Sequence, residues 1–410
     1  MRRNAVLFVA ISLVSGFGST VMALVAGIWI LDLTGSAGLA GLAGLGVYAP
    51  TLAAPWLGAI VDRVPRRPLL IGADLALAGT LLSLFAVRSR ADVWLIFVVM
   101  LGYGFTYVLL DAAETALLPA AVPAGLLGDV NGWRSSAQEG MKLIAPLAGA
   151  ALYAWHGGAP VAALSAAMPV LAALLYGLIR PHRPSSPPDP ATPGPAAPGS
   201  SPAALRTGSS RSALAGLAHV RREPAIRVPV LVAAVAIAMS GFTTPALYSA
   251  VTERAGLPAA FVGVLASAQG AGSIGGGLLA GRVLARTGTR AVAAIGATLF
   301  ALGTLSRCLT WPPGLVSGSL LIGIGLPWTL VAGVTAIQTH TPDAMLGRVA
   351  ATANTAMFGP IAAFIPLGAL AVQTGSVPPN VAATAICLAA AALAAFRSRR
   401  GRAGEAHPGP

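Results

Sequence analysis

Twelve apolar runs, each long enough to cross a bilayer, leave this 410-residue chain few ways to fold. They cover approximately 6–31, 37–61, 69–88, 93–113, 131–155, 160–180, 226–251, 259–281, 290–308, 314–337, 347–372 and 379–396. A helix needs about 20 apolar residues to span the hydrocarbon core. Within lipid every backbone N–H and C=O must find a partner in the protein, so only helices and closed barrels cross. The runs are continuous and do not alternate, which excludes a barrel. The expected fold class is all-α membrane, with twelve transmembrane helices. Composition agrees: 10% of the residues are charged, against about 25% in a soluble domain.

The start, "MRRNAVLFVAISLV", has the basic head and apolar core of a signal peptide. With further runs throughout the chain, an uncleaved first span is expected. Cys308 and Cys387 lie inside apolar runs, so no disulfide is expected. The net charge of +13 sits between the spans and not on one polar face, which argues against a nucleic-acid partner.

Arginine sets the orientation. With both termini in the cytoplasm, twenty arginines fall on that side and four (Arg88, Arg90, Arg254, Arg307) fall in outer loops. Arg134 and Lys142 remain inside the fifth span. This bias places the cytoplasmic face. "RPHRPSSPPDPATPGPAAPGSSP" is too rich in proline, serine and glycine to bury a core, and is read as a disordered cytoplasmic linker. The expected organisation is a six-helix bundle over 1–180, the linker over 181–224, a second bundle over 225–396 and a cytoplasmic tail over 397–410. "RSALAGLAHVRREPAIR" fits a short amphipathic surface helix or a basic flank of span seven equally well.

The halves echo each other. Gly58, Asp62, Arg63 and Arg67 return at a shift of 223 as Gly281, Ala285, Arg286 and Arg290. "LLGDV" at 126–130 returns as "MLGRV" at 345–349, a shift of 219. Duplicated six-helix units build many secondary transporters, with the substrate site between the halves near the midplane.

Between spans two and three lies "GAIVDRVPRRP". Through Gly58, Asp62, Arg63, Arg66 and Arg67 it resembles the loop signature of the major facilitator superfamily, G-x-x-x-D-R-x-G-R-R, with Pro65 replacing the usual glycine. "FGSTVMALVAGIWILDLTGSAGLAGL" and "LLPAAVPAGLLGDVNGWRSSAQEGMKLIAPLAGA" resemble its macrolide-efflux and enterobactin-exporter branch. The resemblance implies two pseudo-symmetric six-helix bundles. It also implies that this loop is a cytoplasmic latch favouring an outward-open state. Asp62 would meet the start of helix eleven near Arg348. Arg66 would meet an acid at the cytoplasmic end of helix four, Asp111 or Glu114, and Asp74 would join the same network. Gly140, Ala145, Pro146, Gly149 and Ala150 resemble the antiporter signature of helix five, with alanine at two glycine positions. Ser19 stands where many relatives carry aspartate.

Charges inside spans are costly and mark functional sites. Asp111 lies roughly 27 Å along the fourth span, with Glu114 on the same face. They serve either the latch or proton coupling. Lys142, the chain's only lysine, lies about 16 Å into the fifth span counted from Asn131. Lysine can lose its proton when desolvated, whereas arginine effectively cannot. Glu139 and Lys142 form an internal ion pair or a proton or substrate site. Trp29, Tyr103, Tyr107, Phe242 and Trp328 are candidates to line an apolar cavity.

No catalytic constellation is present, so an enzyme is not expected. His156, His182, His219, His340 and His407 are scattered, and no metal site is indicated. "QGAGSIGGG" has neither the preceding strand nor the following Lys-Ser/Thr of a nucleotide loop. No cofactor is expected. Energy must then come from a gradient, and the resemblance implies a secondary active transporter that exports amphipathic small molecules, a drug or secondary metabolite, by proton antiport. The alternative is a proton-coupled uptake permease for a small nutrient. A sensor or scaffold would need an output domain beyond the linker and tail. The expected partners are a small-molecule substrate, protons and the lipid bilayer, for a monomer in a bacterial plasma membrane.

Orientation is testable with a fusion at Pro195. Alkaline phosphatase, which folds only outside the cytoplasm, should be silent there, and a fluorescent protein should be bright. The reverse pattern would invert the topology.

Overall fold

A computed structural model describes residues 2–61, 63–179, 217–374 and 378–405. Within them the regular structure is helical throughout. The first half contains α1 (Arg2–Thr34), α2 (Ala37–Tyr48), a 3-10 segment (Ala49–Ala53), α3 (Ala54–Val61), α4 (Arg66–Leu82), α5 (Val93–Ala121), α6 (Ala124–His156) and α7 (Gly158–Leu178). The second half contains α8 (Pro224–Ser249), α9 (Phe261–Thr287), α10 (Thr289–Ser306), α11 (Pro312–His340), α12 (Asp343–Thr374) and α13 (Pro379–Glu405). With α2 and α3 stacked as one broken column, these make twelve columns.

Among the described residues, ten helices are long and apolar enough to cross a membrane. The other two columns carry the features that matter below. One is broken at Pro50. The other, α6, carries Asp129, Arg134, Glu139 and Lys142. Its helix persists because its backbone hydrogen bonds do not depend on side-chain polarity.

Three boundaries move from the sequence expectation. The fourth span continues to Ala121 and the fifth begins at Ala124. Both helices run on through 114–121 and 124–130, where Leu117, Leu118, Leu126, Leu127 and Val130 keep one face apolar beside Glu114, Thr115 and Asp129. The final helix runs on to Glu405, beyond the expected tail boundary at 397. Most of the expected linker, 180–216, lies outside the described residues, and residues 217–222 form a short helical turn.

The packing scheme repeats between halves. In the first, α1 packs on α6 and α7, α4 on α7 and α5, and α2 on α5. In the second, α8 packs on α12 and α13, α10 on α13 and α11, and α9 on α11. Each pair in one half has its counterpart in the other. The fold is thus two pseudo-symmetric six-helix bundles.

Glycine governs how closely these columns approach. A Cβ on Gly323 of α11 would collide with the Gln269 carbonyl of α9, and one on Gly272 with the Leu320 carbonyl. Gly158 leaves room for the indole of Trp29, and Gly157, at φ 76°, makes the turn from α6 to α7. Small-residue contacts of this kind replace the hydrophobic drive that lipid cannot supply. Trp94, Trp155 and Trp311 stand exposed at the end of the bundle opposite the arginine-bearing α3–α4 turn. That is the place of an interfacial aromatic belt.

Contacts between the halves are one-sided. On α9, Gly263 packs against Pro146 and Ala150 of α6, Gly270 against the Lys142 backbone, and Ser273 Oγ donates to Glu139 Oε2 at 3.1 Å. On α2, Gly38 meets Ala369 and Gln373 of α12, Gly41 meets Pro245 of α8, and Gly44 meets Ile365. These contacts run from the tryptophan-bearing end to mid-height. Beyond them, a Cβ on Gly125, Gly128 or Gly132 of α6, or on Gly275, Gly277 or Gly281 of α9, would meet nothing within 4 Å. The halves therefore part toward the arginine-bearing end.

Gly323→Val should separate α11 from α9 at a cost of about 1–3 kcal/mol or more, as overpacking does. Gly275→Val should be neutral. Melting temperatures and size-exclusion profiles of the detergent-purified variants will distinguish them, and equal behaviour would contradict the packing account.

Candidate functional site

The space between the parted halves reaches into the first bundle as a cavity of about 230 Å³. Its walls come from five helices. The α1 wall is thin, with Ser15, Gly16, Gly18, Ser19 and Thr20. The α4 wall supplies Asp74 and Leu77, and α5 supplies Tyr103, Tyr107, Leu110, Asp111 and Glu114. Gln138 and Lys142 enter from α6, and Ser165, Met168, Pro169 and Tyr176 from α7. Tyr103, Tyr107, Leu110, Asp111 and Glu114 recur at three- and four-residue spacings, which is why one helix presents them together.

Three carboxylates face this space in three different settings. Glu114 is paired: Arg134 Nη2 lies 2.9 Å from its Oε1, and the Tyr176 hydroxyl hydrogen-bonds to it. Arg134 is itself held in place, since its Nε donates to Ser12 Oγ at 3.1 Å. Asp111 is exposed to the cavity. Asp74 is 2% exposed, and its Oδ2 has no hydrogen-bond partner. The two tyrosines and Met168 add apolar surface with polar tips, suited to an amphipathic guest.

Lys142 Nζ lies 2.6 Å from Glu139 Oε1, close to the middle of α6. Its side chain is 53% exposed and borders the cavity. Because α6 starts at Ala124 and not near Asn131, Lys142 stands roughly 27 Å from the helix start. The Glu139 carboxylate faces both ways, toward Lys142 through one oxygen and Ser273 of the other half through the second.

The arginine-bearing loop does something other than expected. Arg66 Nη1 donates to the Ala116 carbonyl at 3.2 Å, not to an acid. Arg67 Nε donates to the Tyr176 carbonyl at 3.0 Å, and its Nη2 to Gly177. These cations thus sit at the carbonyl-rich stretches of α5 and α7, where helix dipoles favour positive charge. Glu114 is not free for Arg66 because Arg134 holds it, and the longer α5 carries both acids deeper than the sequence suggested. Asp74 likewise faces the cavity and not the loop. Arg63 is exposed. Gly58 lies in α3, while Asp62 and the side chain of Arg348 are outside the described residues.

Two of the five aromatic candidates line the cavity, Tyr103 and Tyr107. Trp29 is buried against Tyr153, with ring centroids 6.4 Å apart. Trp328 Nε1 donates to the Gly276 carbonyl at 2.8 Å inside the second bundle. Phe242 packs edge-on against Phe364 at 6.5 Å. All three serve helix packing, because their faces meet neighbouring columns. In the helix-five motif, Ala145 is buried, Gly149 abuts Val21 of α1 and Pro146 abuts Gly263 of α9. A Cβ on Gly140 would meet nothing within 4 Å. Arg307, expected in a solvated outer loop, is 5% exposed and reaches Gln269 and Ser319 at 3.5 Å.

Arg134 and Tyr176 are the site residues that sequence reasoning passed over. Arg134 had a usable signal, being an arginine inside a span. Tyr176 had none, since only the fold sets it beside Glu114.

The Major Facilitator Superfamily profile matches residues 7–258. Macrolide efflux protein A of Streptococcus pyogenes is 29% identical over 156 residues, covering 37% of this chain and 38% of that protein. The Enterococcus faecalis protein of the same name is 30% identical over 131 residues, covering 31% and 41%. Each alignment thus spans less than half of the relative. Among solved structures, the nucleoside transporter NupG covers 98% of this chain and 99% of its own, with a TM-score of 0.67 and 12% identity. A bacterial homologue of the iron transporter ferroportin covers 98% of both, with a TM-score of 0.67 and 16% identity. At these identities the structures share the fold. Profile match, twelve-column architecture and repeated packing scheme together make this multi-pass membrane transporter a member of the Major Facilitator Superfamily.

Proposed function

We propose that this chain exports amphipathic small molecules, a drug or secondary metabolite, by proton antiport with alternating access. It would lie in the bacterial plasma membrane with both termini in the cytoplasm, so that the cavity opens inward. The observation that carries the proposal is the cavity itself. It combines tyrosine and methionine surface with three carboxylates in unlike settings, a combination that can hold an apolar body and exchange a proton. The partial likeness to macrolide efflux proteins supports an outward direction.

Closure at the arginine-bearing end would complete the cycle. α2 and α12 run antiparallel with Gly44 beside Ile365. Followed toward the arginine-bearing end, that register leads from α2 to the first half of α12. This supports the latch reading of Gly58, Asp62, Arg63, Arg66 and Arg67, in which Asp62 meets a helix N-terminus on closure. Such a contact is worth about 0.3–1 kcal/mol, enough to tilt a near-balanced pair of states severalfold.

Glu139 and Lys142 border the cavity without belonging to the Asp74–Glu114 group. Their role in this scheme is an ion pair that lets both charges enter the membrane while Glu139 ties α6 to α9. Glu139→Gln with Lys142→Met should therefore transport better than either single variant, because it leaves no unpaired charge. A double variant that inserts normally and does not transport would return a coupling or substrate role to this pair. The broader test is efflux of a compound panel, macrolides included, from cells and inside-out vesicles. Collapsing the pH gradient should abolish accumulation, and accumulation that survives would overturn antiport.

A further inference from the structure

We propose that Asp74 is the proton-binding group of the cavity, taking up and releasing the coupling proton while Glu114 stays engaged with Arg134. This rests on the antiport reading and deepens it by naming the group. The three cavity acids differ in what offsets their charge. Glu114 has Arg134 at 2.9 Å and the Tyr176 hydroxyl. Asp111 has the open cavity. Asp74 has neither: it is 2% exposed, its Oδ2 is without a donor, and its charged neighbour is another carboxylate, Glu114.

Every element around Asp74 tells the same way. From α5 its interacting neighbours are Tyr103 and Glu114, with Tyr107 and Asp111 on the same cavity wall, and from α7 its neighbour is Tyr176. From α1 come only Ser15, Ser19 and Thr20, none of them charged. The nearby cation of α6, Arg134, is engaged by Glu114 and Ser12. Lys142 is engaged by Glu139. On its own helix, Arg67 is turned to the α7 carbonyls. A carboxylate desolvated without a cation or donor is costly, so the resting cavity holds the neutral acid. The step is a simple exchange. Oδ2 takes a proton from outside water when the cavity faces outward, and the carboxyl returns it to cytoplasmic water in the inward-open form when a cation arrives beside Asp74. Arg134 does not compete, because Glu114 retains it.

The test needs no substrate. Infrared difference spectra of the full-length protein in lipid, recorded between acid and alkaline pH, should show the C=O stretch of a buried carboxylic acid. Feeding aspartate with heavy carbon at its side-chain carboxyl should shift that band in the wild-type protein, which separates Asp74 from Glu114 without any variant. Asp111→Asn should keep the band, Asp74→Asn should lose it and Asp74→Glu should move it. A band that ignores aspartate labelling, or disappears with Asp111→Asn, overturns the assignment, as does the lack of any such band. The second arm uses erythromycin in proteoliposomes. Asp74→Asn should lose gradient-driven uptake and keep downhill exchange, and retained gradient-driven uptake overturns the assignment. If the wild-type protein moves erythromycin without regard to the gradient, antiport falls, and the infrared band alone decides Asp74.

Discussion

A charge in hydrocarbon must be turned away from lipid, and the architecture follows from that constraint. The backbone meets it by becoming helix everywhere it crosses. The side chains meet it by facing inward. In this chain the inward-facing charges gather in α4, α5 and α6, around a space that the parted halves leave open. Glu114 and Arg134 neutralise each other, and Arg134 is steadied by Ser12 of a third helix. The pair thereby joins α5, α6 and α1 at one point. Around it the remaining groups of the cavity take their character by difference: one acid wetted, one acid sealed, one lysine held by its own helix.

The columns could not assemble around this group without small residues. Backbone-to-backbone contacts at Gly270, Gly272 and Gly323 set the distances between α6, α9 and α11. The same economy of side chain occurs where the halves meet, and it ends at mid-height beside Ser273. The position of Glu139 at that boundary means that a carboxylate belongs at once to an intrahelical pair and to the contact between halves.

Much of the fold was legible in the sequence because the bilayer writes in long, coarse symbols. Twelve apolar runs, the duplication and the arginine bias need no knowledge of tertiary contacts. The site was legible only in part. Tyr103, Tyr107, Asp111 and Lys142 could be picked out as residues of their spans, although counting from the apolar ends misjudged the depth of Asp111 and Lys142. Asp74 could not be assigned to the cavity, because its distance from the loop says nothing of the direction in which it points. Trp29, Phe242 and Trp328 misled for a related reason: an aromatic ring in a span packs or lines according to its neighbours, which here lie about 50 to 125 residues away in the chain. Arg66 and Arg67 were legible as cations at a helix end. Their choice of backbone carbonyls over acids depends on where the ends of α5 and α7 pack beside the loop, which only the assembled fold sets.

One compositional fact acquires a chemical meaning from the structure. Every cation of the chain but one is arginine, and the exception, Lys142, borders the cavity with half its side chain accessible. The protein therefore carries one side-chain primary amine, and it lies at the centre of the molecule. Amine-selective acylation, which usually scatters over a protein's surface, has here a single internal address besides the chain terminus. A reagent reaches it only through whichever mouth of the cavity is open, and once attached it leaves Glu139 without its counter-charge. Ordinary lysine chemistry thus becomes a report on access.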